Sequence, residues 1–190
     1  MAEQASHMLR SDARDNRERV LEAARAVFAA EGLDAPMREV ARRAGVGPAT
    51  LYRRFPTKEL LVAEAFRDQM RACYAIVDEG LADPEPWHGF AVVIQRLCEL
   101  HAQDRGFTAA FVSAFPHALD LAADRARALK SIAELIRRAQ DAGELRSDVV
   151  LDDVILVLMA NNGIQARSTK ARVAASQRFA ELALRGLRAA

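Results

Sequence analysis

The sequence predicts an all-α chain, and three observations predict it. Alanine and leucine supply 39 and 20 of the 190 residues, whereas valine, isoleucine and threonine together supply 24, which favours helices and gives sheets little to build on. Apolar residues recur at helical spacing along most of the chain, and Gly or Pro punctuates the periodic stretches. No internal repeat of about 20–50 residues is present, so a solenoid is excluded.

The elements follow in order. Val20, Leu21, Ala24, Val27 and Phe28 form the apolar stripe of a first helix over 12–31, with Gly32 as its stop. A two-turn helix over 36–44 starts at Pro36 and ends at Gly45, and a third over 48–54 opens with Pro48 in its first turn. Phe55-Pro56 breaks the chain, and Thr57 caps a long fourth helix over 58–78 whose buried face is Val62, Phe66, Met70, Cys73 and Val77. Asp83-Pro84-Glu85-Pro86 is a turn. Trp87, Phe90, Ile94, Leu97, Cys98 and His101 then mark a fifth helix to Asp104, and Phe107, Phe111 and Phe115 a sixth ending at Pro116. Helices over 118–142, 151–167 and 169–187 complete the chain.

Charge is near balance at +1 overall, which by itself points neither to nucleic acid nor to acidic substrates. The balance is an average over unlike parts. Residues 36–58 hold six cations, Arg38, Arg42, Arg43, Arg53, Arg54 and Lys58, against Glu39, a local charge of +5, while residues 61–190 sum to −1 from sixteen basic and seventeen acidic side chains. Cys73 and Cys98 match no zinc spacing and read as reduced, partly buried thiols. No apolar run approaches the roughly 20 residues of a membrane span, and no signal sequence opens the chain, so it is expected in the cytosol.

The basic segment coincides with a helix-turn-helix pattern. Two short helices flank a tight turn at Gly45, with Val40, Ala41, Ala44, Val46 and Leu51 suited to close packing and Thr50, Arg53 and Arg54 left to face outward. The run from Pro36 to Leu61, including Ala44-Gly45-Val46, Thr50-Leu51-Tyr52, Phe55 and Lys58-Glu59, closely resembles the N-terminal domain of the TetR (tetracycline repressor) family of bacterial transcriptional regulators. The resemblance spans about residues 10–62. It implies a DNA-binding head over 10–57, a helical effector-binding and dimerisation domain over 58–190, and about nine helices in all.

By that resemblance Tyr52 and Lys58 contact phosphate, with the backbone around Thr57 adding N–H donors. Arg38, Thr50, Arg53 and Arg54 are the candidates for base reading, since arginine bonds guanine bidentately and the threonine methyl meets thymine. At Arg54 the family often has histidine, which leaves a phosphate contact open there. Pro48 and Ala49 contribute only van der Waals contact. The expected partner is a palindromic operator, because one recognition helix reads only a few base pairs and a two-fold dimer presents two.

The last two helices are expected to dimerise. Leu151, Ile155 and Leu158 line one stripe and Ala171, Ala175, Phe179, Leu182 and Gly186 the other, with core packing as the competing use. Aromatic residues are 6% of the chain, yet they cluster between the fourth helix and Pro116. Phe66, Met70, Tyr74, Trp87, Phe90, Phe111 and Phe115, with His101 and Asn162 as polar anchors, are therefore the candidates to line a site for a small apolar or amphipathic effector. No cofactor and no metal is expected. Four histidines without ligand spacing, no nucleophile elbow and no phosphate-cradling loop argue against an enzyme. The remaining alternative is a dimeric helical interaction or sensor protein without sequence-specific DNA binding.

Overall fold

The computed structural model describes residues 2–104, 107 and 122–189, and side chains from residue 16 onward except 122–125. Among the described residues there are nine helices and no strand; the sixth helix expected from Phe107 to Phe115 lies largely outside them, as do Phe111 and Phe115. The chain divides into two compact units, whose described residues are 2–67 and, for the second, 68–104, 107 and 122–189.

In the first unit α1 (Ala2–Glu31) packs on α2 (Met37–Ala44) and α4 (Lys58–Ala65), and α2 packs on α3 (Pro48–Arg54). Val20, Leu21, Ala24, Val27 and Phe28 are buried from α1, against Val40 and Ala41 of α2, Leu51 of α3, Phe55, and Leu61 and Ala65 of α4. Gly45 adopts φ 66°, the left-handed cap that an L side chain resists, and Val46 N–H reaches back to the Ala41 carbonyl at 3.0 Å. The fourth helix departs from expectation: it stops at Ala65, Phe66 takes φ −113° and ψ 15°, and a separate α5 (Arg67–Ala82) follows.

In the second unit α6 (Pro86–Gln103) is the central element, packed on α7 (Ala122–Asp141), α8 (Leu151–Asn162) and α9 (Thr169–Leu187). Phe90, Val93, Ile94, Leu97 and Cys98 of α6 are buried with Leu135 and Ala139 of α7, Val154 of α8 and Ala180 and Leu184 of α9. Side chains fasten the loops. The Arg138 guanidinium donates to the Leu81 and Asp83 carbonyls at 2.6 and 2.9 Å, and Gln140 Nε2 to those of Arg146 and Val149 at 3.0 and 2.9 Å. The chain end is fastened too, since Ala189 N–H bonds the Glu144 carbonyl at 2.9 Å and Arg188 lies over the Trp87 ring. The α8 helix ends at Asn162, five residues short of the expected 167.

Among the described residues no helix is long and apolar enough to cross a membrane, and no cluster of His, Cys, Asp or Glu is placed to hold a metal ion.

Candidate nucleic-acid interface

Leu51 and Phe55 decide how α3 is presented. Both are buried, so the positions between and beside them turn outward, and Pro48, Ala49, Thr50, Tyr52, Arg53 and Arg54 are all exposed. Tyr52 is half exposed, which takes its hydroxyl out of the packing between the short helices. Arg38 is exposed on α2. Among the described residues no ion pair or hydrogen bond engages the side chains of Arg38, Arg53 and Arg54, so three guanidiniums project from this small face with their donors turned to solvent.

The rest of the basic segment is less cationic than its sequence. Arg42 donates Nε to Glu39 Oε2 at 2.8 Å and Nη2 to Oε1 at 2.5 Å, a bidentate pair that cancels one charge on α2. The same bond from Arg42 holds the Glu39 carboxyl below the usual carboxylate range. Lys58 also has an internal use, because its ammonium donates to the Leu33 carbonyl at 2.9 Å. It is neither a fully solvated lysine nor one dedicated to phosphate, although an ammonium has two further N–H groups to offer. The Thr57 hydroxyl accepts Leu60 N–H at 3.2 Å and so caps α4, as its position suggested.

The described effector candidates fall in both units. Phe66 is buried in the first unit as the residue that ends α4, whereas Met70, Tyr74, Trp87, Phe90, His101 and Asn162 belong to the second. Trp87 is half-buried with its ring against Phe90 on one side, centroids 5.9 Å apart, and the Arg188 guanidinium 5.0 Å from its centroid. His101 is buried and meets the Phe107 ring edge-on at 5.4 Å. Burial pushes its imidazole down to about 4, against a smaller upward contribution from Asn162 beside it. It is therefore neutral at physiological pH. Burial likewise pushes the Cys73 and Cys98 thiols up to about 12, consistent with inert, reduced sulfurs.

Sequence reasoning passed over a polar junction next to this region. Asn161 Nδ2 donates to the Cys98 carbonyl at 2.9 Å, Ser176 Oγ lies 2.9 Å from the same carbonyl and 2.7 Å from Asn161 Oδ1, and all of it is buried. Asn161 thus ties α6, α8 and α9 together. Only the pairing of an Asn with a Ser fifteen residues later hinted at this.

The residues expected at a dimer interface differ in burial within the subunit. Leu158 is buried with Val154 inside the subunit, so it is a core residue; Leu151, Ile155 and Phe179 are half-buried. The side chains that do stand in solvent are Leu156 and Met159 on α8, 62% and 50% exposed, with Leu182, Ala171, Ala175 and Gly186 on α9.

The profile of bacterial regulatory proteins of the tetR family matches residues 20–65, and that of the C-terminal domain of SbtR-like transcriptional regulators matches residues 85–189. Among solved structures, a TetR regulatory protein from Mycobacterium vanbaalenii is 35% identical, with 95% of this chain and 99% of that one covered and a TM-score of 0.51. A TetR regulator from Streptomyces coelicolor is 30% identical over 91% of this chain and 98% of its own, with a TM-score of 0.55. A tetR-family protein from Rhodococcus RHA1, at 20% identity, 92% and 98% coverage and a TM-score of 0.73, shares the fold. No curated protein matches. With profiles on both units and identity of this order across the whole chain, the protein belongs to the TetR family of bacterial transcriptional regulators and reads DNA through a helix-turn-helix head.

Proposed function

We propose that the protein is a homodimeric repressor that grips a palindromic operator with α3 of each subunit and lets go when a small molecule binds its C-terminal unit. The observation that carries the reading is the α2–α3 face, where Arg38, Arg53 and Arg54 project beside exposed Thr50 and Tyr52 over a floor fixed by Leu51 and Phe55. Arginine and threonine at the outer edge of a short helix supply base-edge contacts, and a phenol and guanidiniums supply phosphate contacts.

The exposed apolar side chains of α8 and α9 support a dimer. Leu156, Met159 and Leu182 in solvent are a cost for a monomer and an asset where a second copy covers them. The second unit supports an apolar or amphipathic effector. Its buried polar side chains among the described residues are His101, Asn161 and Ser176, none of which carries a charge at neutral pH. Release requires the effector to bind the DNA-incompetent state more tightly, with coupling of about 1–3 kcal/mol.

Selection of genomic fragments on the purified protein tests the reading. The expected result is enrichment of a two-fold symmetric sequence whose half-sites lie about one helical turn, 34–36 Å, apart or a multiple of it. Enrichment of no sequence over bulk DNA would leave a helical sensor without operator recognition. Addition of metabolite pools to the bound complex then finds the fraction that releases it.

A further inference from the structure

The helix that begins with Lys58 is bonded at one end to the turn after α1 and at the other to α1 itself. At the start, Lys58 Nζ donates to the Leu33 carbonyl just beyond α1, at 2.9 Å. At the finish, Arg25 Nη1 donates to the Ala65 carbonyl at 3.1 Å, and the Glu64 carboxylate is paired with Arg17 of α1 and with Arg67. Glu64 is mostly buried, its side chain 14% exposed. Between these polar ends Leu61, Val62 and Ala65 are buried.

The bond from Arg25 has a specific cause. In a continuous helix the Ala65 carbonyl would accept the N–H four residues on, but α4 stops at Phe66, so that carbonyl belongs to a helix end and needs another partner. Nothing in the local sequence forces the stop, since no Gly or Pro lies between Lys58 and Glu79. The guanidinium of Arg25 satisfies the exposed carbonyl, and the Glu64 pairs fix the last turn beside it.

The consequence reaches DNA through α1. Because α4 begins with Lys58, capped by Thr57, while α3 carries Arg53, and α1 packs on both α4 and α2, the distance between phosphate-gripping and base-reading groups follows how firmly α4 is held to α1. We propose that Arg25 and Glu64, assisted by Arg17, are positioning residues for operator recognition: they keep α4 in register with the recognition helix without touching DNA. Base contacts need both sets of groups seated at once, whereas phosphate contacts alone survive some looseness on any duplex. The proposal rests on α3 reading an operator, as argued above.

The test compares Arg25→Met, Arg25→Lys and Glu64→Gln in the full-length protein, titrated against the selected operator and a scrambled duplex at several salt concentrations. Hydrogen exchange of α1 and α4 establishes that each variant is folded at the assay temperature, and Glu64→Gln carries the test if Arg25→Met is not. Arg25→Met and Glu64→Gln should lose about tenfold on the operator and less than about twofold on the scrambled duplex, with an unchanged salt slope. Arg25→Lys, which retains a donor for the Ala65 carbonyl, should recover most of the loss. Equal losses on both duplexes, a flatter salt slope, undiminished operator affinity, or a lysine variant as weak as the methionine one would each overturn the proposal. A wild-type protein with no preference for the operator would instead defeat the DNA reading on which it rests.

Discussion

Gly80 near the end of α5 and Gly89 in the first turns of α6 stand backbone to backbone. A Cβ placed on Gly89 would overlap the Gly80 carbonyl oxygen and lie 3.0 Å from Asp83 Cβ; one placed on Gly80 would run into Val93 and come within 2.9 Å of the Gly89 carbonyl oxygen. Both glycines are buried, and Arg138 fastens the turn between them. The α5–α6 corner is thus closed by the absence of two side chains. Gly89→Ala should destabilise the protein by about 2–3 kcal/mol in urea melts, because its clash is with backbone that has no rotamer to change. Gly80→Ala should cost less, since Val93 can move part of the way. A Gly89→Ala variant as stable as the parent would mean that the corner opens freely.

His101 makes stability depend on pH in one direction. Its folded value is about 4, below the ordinary value of 6.5, because burial disfavours the cation. Between those two values the unfolded chain holds a proton that the folded protein lacks, so stability is complete above about 6.5 and is lost as pH falls toward 4. The whole effect is about 3 kcal/mol. Urea melts from pH 7 to 5 should show the loss in the parent and a flatter profile in His101→Leu, the difference between the two isolating this one titration from the carboxylates. Parallel profiles would show that His101 does not lose its proton affinity on folding.

The α2–α3 turn was legible because its determinants are local. Gly45 must take a positive φ and Pro48 must open a helix, and both facts stand in the sequence. The stop at Phe66 was not, since no Gly or Pro marks it and the groups that meet the last turn of α4, Arg25 and Arg17, lie forty or more positions away in the sequence. Lys58 was read from the family resemblance, which says nothing of its bond to the backbone carbonyl of Leu33, an acceptor any residue there would offer. The sequence could not separate the outward face of α8 from its buried one for another reason. Seven of its first nine residues are apolar, from Leu151 to Met159, so a helical period has no contrast to reveal which side is covered.

The two classes of DNA contact separate experimentally. Arg53 is exposed on α3 with its donors turned to solvent, whereas the Lys58 ammonium donates to the Leu33 carbonyl and has two further N–H groups to offer. Arg53→Ala should weaken operator binding by about 1–3 kcal/mol and scrambled-duplex binding by much less. Lys58→Ala should weaken both and flatten the salt slope by about one unit, and it should also lower the melting temperature of the DNA-free protein through the lost bond to Leu33. Equal losses for Arg53→Ala on both duplexes would move that residue to the phosphate class.

Leu182 and Leu158 separate subunit association from core packing. Leu182 is 51% exposed on α9, as Leu156 and Met159 are exposed on α8, while Leu158 is buried in the subunit core. In a two-fold interface every substitution acts twice, so a leucine contact worth about 2 kcal/mol per subunit would shift the dimer by about 4 kcal/mol, roughly a thousandfold in dissociation constant. Leu182→Asp should therefore sediment as a monomer at concentrations where the parent is dimeric, and bind operator only as strongly as a half-site. Leu158→Ala should instead lower the urea midpoint, by about 2–5 kcal/mol of stability, since it leaves a cavity beside Val154. A Leu182→Asp protein that remains dimeric would place the contact between subunits away from this face of α9.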